Sequence, residues 1–174
     1  MPEPTNIPQL VTSFYADLKT VATDLNAVSD ELGKSISEID SVLKNLNLGI
    51  TVWVTIRIHH GDPDRNDLSY WSEDIGYTKY KGRWGVCLRQ VEGDESLDEE
   101  EVEQWHFNDA PRALRLSAVD RLVELLQKLG EEGRTTTEKI KKKLTDARTV
   151  AVALNQAAWT PAPPRARNKI EESK

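Results

Sequence analysis

His59, His60, Asp62, Asp64 and Asp67 place five potential ligands for a divalent cation within one short stretch. Imidazoles and carboxylates hold such ions, and a strand end running into a loop is a suitable place to present them. The nearest known spacing is that of the calcium loop, whose first, third, fifth and twelfth positions fall on Asp62, Asp64, Asn66 and Glu73. Two features depart from that pattern. Asp67 stands where the loop's sharp turn uses Gly, and a strand rather than a helix precedes it. The candidate metal ligands are therefore His59, Asp62, Asp64, Asn66 and Glu73, weighed against an ordinary polar loop. His59 and His60 are adjacent on a strand, so they point to opposite faces and do not readily share one ion.

Other chemistry is thinner. Nucleophilic catalysis needs a Ser, Cys or Thr on a sharp turn with a His and an orienting acid in reach, and the chain has no Gly-x-Ser-x-Gly element. Phosphate-binding Gly-x-x-x-x-Gly-Lys-Ser/Thr, dinucleotide-binding Gly-x-Gly-x-x-Gly and paired zinc cysteines are also missing from the sequence. No cofactor is expected. Cys87 is the only cysteine and falls in an apparent strand, where it reads as a small buried hydrophobe. His106, two residues before the candidate helix cap Asn108, reads as a generic polar residue.

Trp53, Trp71, Tyr77, Tyr80, Trp84 and Trp105 alternate with Arg57, Lys79, Lys81, Arg83 and Arg89. On an open sheet such a mixture can stack bases and hold phosphates. The same aromatics also favour strands and pair across them. Residues 50–110 carry fourteen acids against six bases, which argues against nucleic-acid binding through this region. Lys139, Lys141, Lys142, Lys143 and Arg148 form a second basic candidate, and Glu92–Glu103 an acidic connection that reads as a solvated loop able to meet a basic partner.

The elements that position these groups follow from periodicity. Val11, Phe14, Leu18, Val21, Leu25, Val28, Leu32, Ile36, Ile39, Leu43 and Leu46 recur three or four apart, which predicts one long helix over 8–46 with a continuous apolar seam. Two consecutive four-residue steps flank Gly33 and predict a bend or a change of packing there. Alternation from Ile50 to Ile58 predicts a strand, with Arg57 and His59 on the face opposite the isoleucines and valines. Residues 75–80 and 84–91 read as a hairpin around Lys81-Gly82-Arg83, and 104–107 as a short fourth strand. The segment 110–159 reads as two helices, the first ending at Gly130 and the second starting near Thr135, about 25 residues long.

The resulting expectation is an α+β fold. A three- or four-stranded antiparallel sheet (49–107) is flanked by a long N-terminal helix and two C-terminal helices, with coiled-coil-like packing of the terminal helices. It forms one domain over 1–159, and 160–174, rich in Pro and charge, reads as a disordered tail. Helix-sheet-helix order resembles two chaperone architectures, prefoldin-like subunits and the small acidic dimeric chaperones of secretion systems; the resemblance is of element order alone and implies a helical stalk or a dimer.

The chain of 174 residues has a net charge of −6 and 38% hydrophobic content, enough for one core. No apolar run reaches the ~18–20 residues of a membrane span, and the opening residues lack a signal-peptide pattern, so a cytoplasmic protein is expected. Charge is uneven: residues 8–46 carry six acids and three lysines, residues 134–159 six bases and two acids. The first helix's seam, Val11 to Leu43, needs a partner. A homo-oligomer, with a dimer favoured by symmetry, or another protein would supply one. Leu at the first seam position and Val or Phe at the second reverse the preference of parallel two-stranded coils, which disfavours a simple parallel zipper of this helix with its own copy. A non-enzymatic interaction or assembly module is therefore the favoured reading, with a metal-dependent enzyme or a nucleic-acid-binding factor as the alternative.

Overall fold

The computed structural model describes residues 6–62, 68–94 and 100–159. One long N-terminal helix, α1 (Ile7–Leu46), leads into four strands, β1 (Val52–His60), β2 (Ser69–Tyr80), β3 (Arg83–Asp94) and β4 (Glu100–His106). A turn of 3-10 helix (Phe107–Asp109) then precedes α2 (Arg112–Val119) and α3 (Leu122–Trp159). The architecture is α+β. The strands pair antiparallel in the order β1-β2-β3-β4, a meander without crossovers. Met1–Gly133 and Arg134–Lys174 form two compact units, the boundary falling inside α3.

Register explains the core. Val54, Ile75, Leu88 and Trp105 lie in one row across all four strands, and Val52, Tyr77 and Val86 in the next. These residues share a face and join one cluster with Ile36, Leu43, Phe107, Leu114, Ala118, Leu125 and Leu129 from the helical segments. A sheet with one apolar face must be covered, and the C-terminal third of α1, α2 and the first turns of α3 provide that cover. Lys81 and Gly82 both take positive φ, 46° and 83°, and form the two-residue turn joining β2 to β3. Asn47, left-handed at φ 46°, ends α1 with its N–H on the Lys44 carbonyl.

Several boundaries differ from the sequence expectation. Alternation in β1 does not persist: a bulge between Thr55 and Arg57 puts Arg57 opposite Glu73 and His59 opposite Trp71, moving both onto the face of Val52 and Val54. Ile58 consequently lies on the other face, exposed. The acidic stretch is not all loop, since Glu92 and Gly93 pair with Glu101 and Glu100 as strand. The last helix neither starts near Thr135 nor stops short of α1 in length. It runs unbroken through Gly130 and Gly133, 38 residues against 40 in α1. Each glycine costs about 1 kcal/mol in a helix interior, an amount that anchoring by buried Leu125 and Leu129 outweighs. The chain turns instead at Asp120, where the Arg121 N–H reaches back to Ala118.

The opposite sheet face is sealed by its own side chains. The Trp53 ring covers Gly76, and the Tyr70 ring covers Gly93. A Cβ at position 76 would sit 2.6 Å from the Val52 carbonyl oxygen and closer still to Trp53. Gly76→Ala is therefore expected to destabilise the protein by about 1–3 kcal/mol, read as a lower urea midpoint with a red-shifted tryptophan emission.

Asp40 ties α1 to the sheet. Pairing between β3 and β4 stops at Cys87 and His106, and the Val86 N–H, one residue further, donates to Asp40 Oδ1 at 2.6 Å. Burial raises the Asp40 carboxyl above its ordinary 3.8, against the Val86 hydrogen bond and the Lys44 charge, which lower it. A folded pKa above the unfolded one adds stability that is complete below the unfolded value and disappears as pH rises through the folded value. Asp40→Asn keeps an acceptor for Val86. It is expected to gain stability relative to the parent as pH rises from below 3.8 into the mildly acidic range, checked by urea melts across that range.

Candidate functional site

Of the candidate metal ligands, the structure describes His59, Asp62 and Glu73. His59 and His60 end β1 on opposite faces, across from Trp71 and Tyr70, and Asp62 lies exposed just beyond. Asp64, Asn66 and Asp67 fall outside the described residues. Glu73 sits inside β2, only 2% exposed. Arg57 grips its carboxylate with Nε on Oε2 and Nη2 on Oε1 at 2.8 Å, while Gln90 Nε2 donates to Oε1 at 3.0 Å. The Arg57 guanidinium also lies 5.1 Å over the Trp71 ring. Both Glu73 oxygens thus serve a forked, charge-assisted contact within the sheet. Among the described residues no three His, Cys, Asp or Glu side chains are grouped to hold a metal ion.

A second polar group surrounds Cys87. Its Sγ lies 3.6 Å from His106 Nδ1, an approach that in other settings marks a nucleophile and its base. Burial pushes this thiol up to about 11, so it is protonated at neutral pH and unsuited to attack. Next to it, Asp40, Lys44, Arg83, Trp84, His106 and Asn108 line a cleft of ≈ 350 Å³. Asn108 closes that side by donating to the Gly33 carbonyl and to Ser37 Oγ, both at 3.2 Å. A Cβ on Gly33 would stand 3.0 Å from Asn108 Oδ1, which explains a glycine where α1 meets the core.

The sheet aromatics are spent on packing. Trp53 packs against Gly76 and has the Arg89 guanidinium over its ring, 4.3 Å from the centroid, with Arg89 Nε donating to Asp74 at 2.9 Å. Trp84 stacks on Tyr77 at 5.6 Å, and Trp105 packs against the core. Bases would have to displace these contacts in order to stack.

The α1 seam divides sharply at Leu32. Below it Ile36 and Leu43 are buried, 2% and 5% exposed, with Leu32 and Ile39 packed alongside. Above it Val11, Phe14, Leu18, Val21, Leu25 and Val28 are 46–65% exposed. The change of packing expected near Gly33 marks this division, and α1 passes through it as one helix. Where the bare seam approaches α2, Leu25, Val28, Leu32 and Leu116 join Arg112 and Arg115 around an apolar groove of ≈ 330 Å³. Arg112 Nη2 bonds Asn26 Oδ1 at 3.0 Å. Periodicity alone missed Leu116 and the two arginines, because α2 presents Leu114 and Ala118 to the core and Leu116 to solvent. Its hidden signal was the Leu at 116, out of phase with that stripe.

Residues 134–159 of α3 carry a seam of their own. Ile140, Leu144 and Leu154 are exposed, and Lys141 and Arg148 follow its apolar line at one edge. Apolar side chains in such rows, rather than scattered singly, mark association surfaces. No known protein family, curated protein or solved structure matches this chain.

The division at Leu32 makes two substitutions differ. Ile36→Ala is expected to cost about 2–5 kcal/mol, and Leu18→Ala, measured at dilutions where the chain is alone, less than about 0.5 kcal/mol. Chemical denaturation of both variants checks this contrast.

Proposed function

We propose that this chain is an interaction or assembly module without catalysis of its own, which self-associates or binds a protein partner through the exposed seam of α1. The observation that carries the reading is the exposure of Val11, Phe14, Leu18, Val21, Leu25 and Val28 in an uninterrupted row. Covering a Val or Leu side chain is worth about 1.5–3 kcal/mol at most, so six in a row form a strong driving force for association. Helical continuity supports the reading too. The buried third of α1 holds the exposed part in a fixed direction, which lowers the ordering cost of docking.

The sheet supports the same reading by exclusion of surface. Its aromatic and charged side chains hold one another, as Arg57 with Glu73 and Arg89 with Asp74. No described helix is long and apolar enough to cross a membrane. A cytoplasmic setting belongs to this proposal, since a single cysteine leaves no pair to be joined within the chain.

Val21→Glu places a charge in the centre of the seam without touching the core. Light scattering on the parent is expected to give a multiple of the 19.7 kDa chain, and on Val21→Glu the mass of one chain. Equal masses for parent and variant would refute self-association through α1.

A further inference from the structure

We infer that the 21–28 part of the α1 seam is covered by the 140–147 part of the α3 seam from a second copy of this chain, the two helices running parallel. This rests on the self-association proposed above and names its partner. Charge and spacing carry the argument. Written as a heptad, the α1 seam has Val11, Leu18 and Leu25 at a and Phe14, Val21 and Val28 at d, which puts Asp17 and Asp24 at successive g positions. The α3 seam has Leu144 and Ala151 at a and Ile140, Ala147 and Leu154 at d, which puts Lys141 and Arg148 at successive e positions.

In a parallel pair a g side chain faces an e side chain of the partner, and ion pairs there set partner and orientation. Both charge rows repeat at seven residues, so an alignment that brings Asp17 to Lys141 also brings Asp24 to Arg148. The same alignment levels Val21 with Ile140, Leu25 with Leu144 and Val28 with Ala147. Lys141 contacts Glu138 in its own helix at 2.8 Å, with both side chains about two-thirds exposed or more. An exposed pair of this kind is weak enough to exchange.

Direction selects a second copy over the same chain. α1 enters the core at its C-terminal end, through Ile36 and Leu43, and α3 leaves that core at its N-terminal end, through Leu125 and Leu129. Helices attached in this way would meet antiparallel within one chain. Antiparallel pairing sets g against g, which would put Lys143, Val150 and Ala157 opposite the acids and leave Lys141 and Arg148 on the wrong side. Between two chains the parallel match is available twice, α1 of each with α3 of the other, as an isologous contact requires.

Sedimentation equilibrium on the full chain tests this with two charge-reversed variants. Asp17→Lys/Asp24→Lys and Lys141→Asp/Arg148→Asp each set like charges at both contacts, so each alone is expected to dimerise at least about tenfold more weakly than the parent. Mixed one to one, they restore opposite charges at both contacts and are expected to form a heterodimer near parental affinity. That rescue also shows that both variants fold. A Lys141→Asp/Arg148→Asp chain with the parental dimer constant would overturn this pairing and leave association through α1 standing. Failure of the mixture to form a heterodimer would overturn it as well. A parental chain that is monomeric at every concentration would remove both the pairing and the self-association beneath it.

Discussion

Everything in the fold follows from a sheet whose rows Val54–Ile75–Leu88 and Val52–Tyr77–Val86 are apolar on one face only. Such a face must be kept from water, and a meander without crossovers contains no helix to cover it. The cover has to come from both ends of the chain. α1 and α3 therefore both carry a short segment committed to the core, and each continues well past it. The Asp40 carboxylate fixes the first of these at the point where β4 stops pairing with β3 and a backbone N–H needs an acceptor.

The layout was legible because it rests on periodicity over long windows. Val11 to Leu43 could only be a helix, and the residues around Lys81-Gly82 only a tight hairpin. Local exceptions were not legible. Ile56 continues the alternation of Ile50 to Val54, and nothing in its type announces that it is the extra residue of a bulge. Gly130 and Thr135 look like an end and a beginning, but burial of Leu125 and Leu129 commits the backbone to helix before the glycines are reached. Long-range packing decides such positions, and no local window contains it.

The candidate sites divide in the same way. Glu73 fits a ligand spacing in the sequence and fits Arg57 in space, because the bulge moves Arg57 onto its face. Cys87 and His106 are nineteen residues apart and meet only through strand register. The seam was visible as a pattern, while its division into a buried and a bare part depends on where the sheet lies. Phe14 and Ile36 have equal claims to a core in the sequence, and only the fold separates them.

The outer strand β4 is crowded with like charge. Glu101 stands directly across from Glu92, with Glu100 and Glu103 on the same short strand, and the like charges weaken the ladder they belong to. That local loss has a use at the edge, where an unpaired strand otherwise recruits strands from neighbouring molecules. A dense row of carboxylates repels the backbone of an identical chain before hydrogen bonds can form. Crowded copies are thereby kept from joining sheet to sheet, the route to open-ended fibres. The edge is closed to strand addition, and the rows of apolar side chains left bare among the described residues are helical.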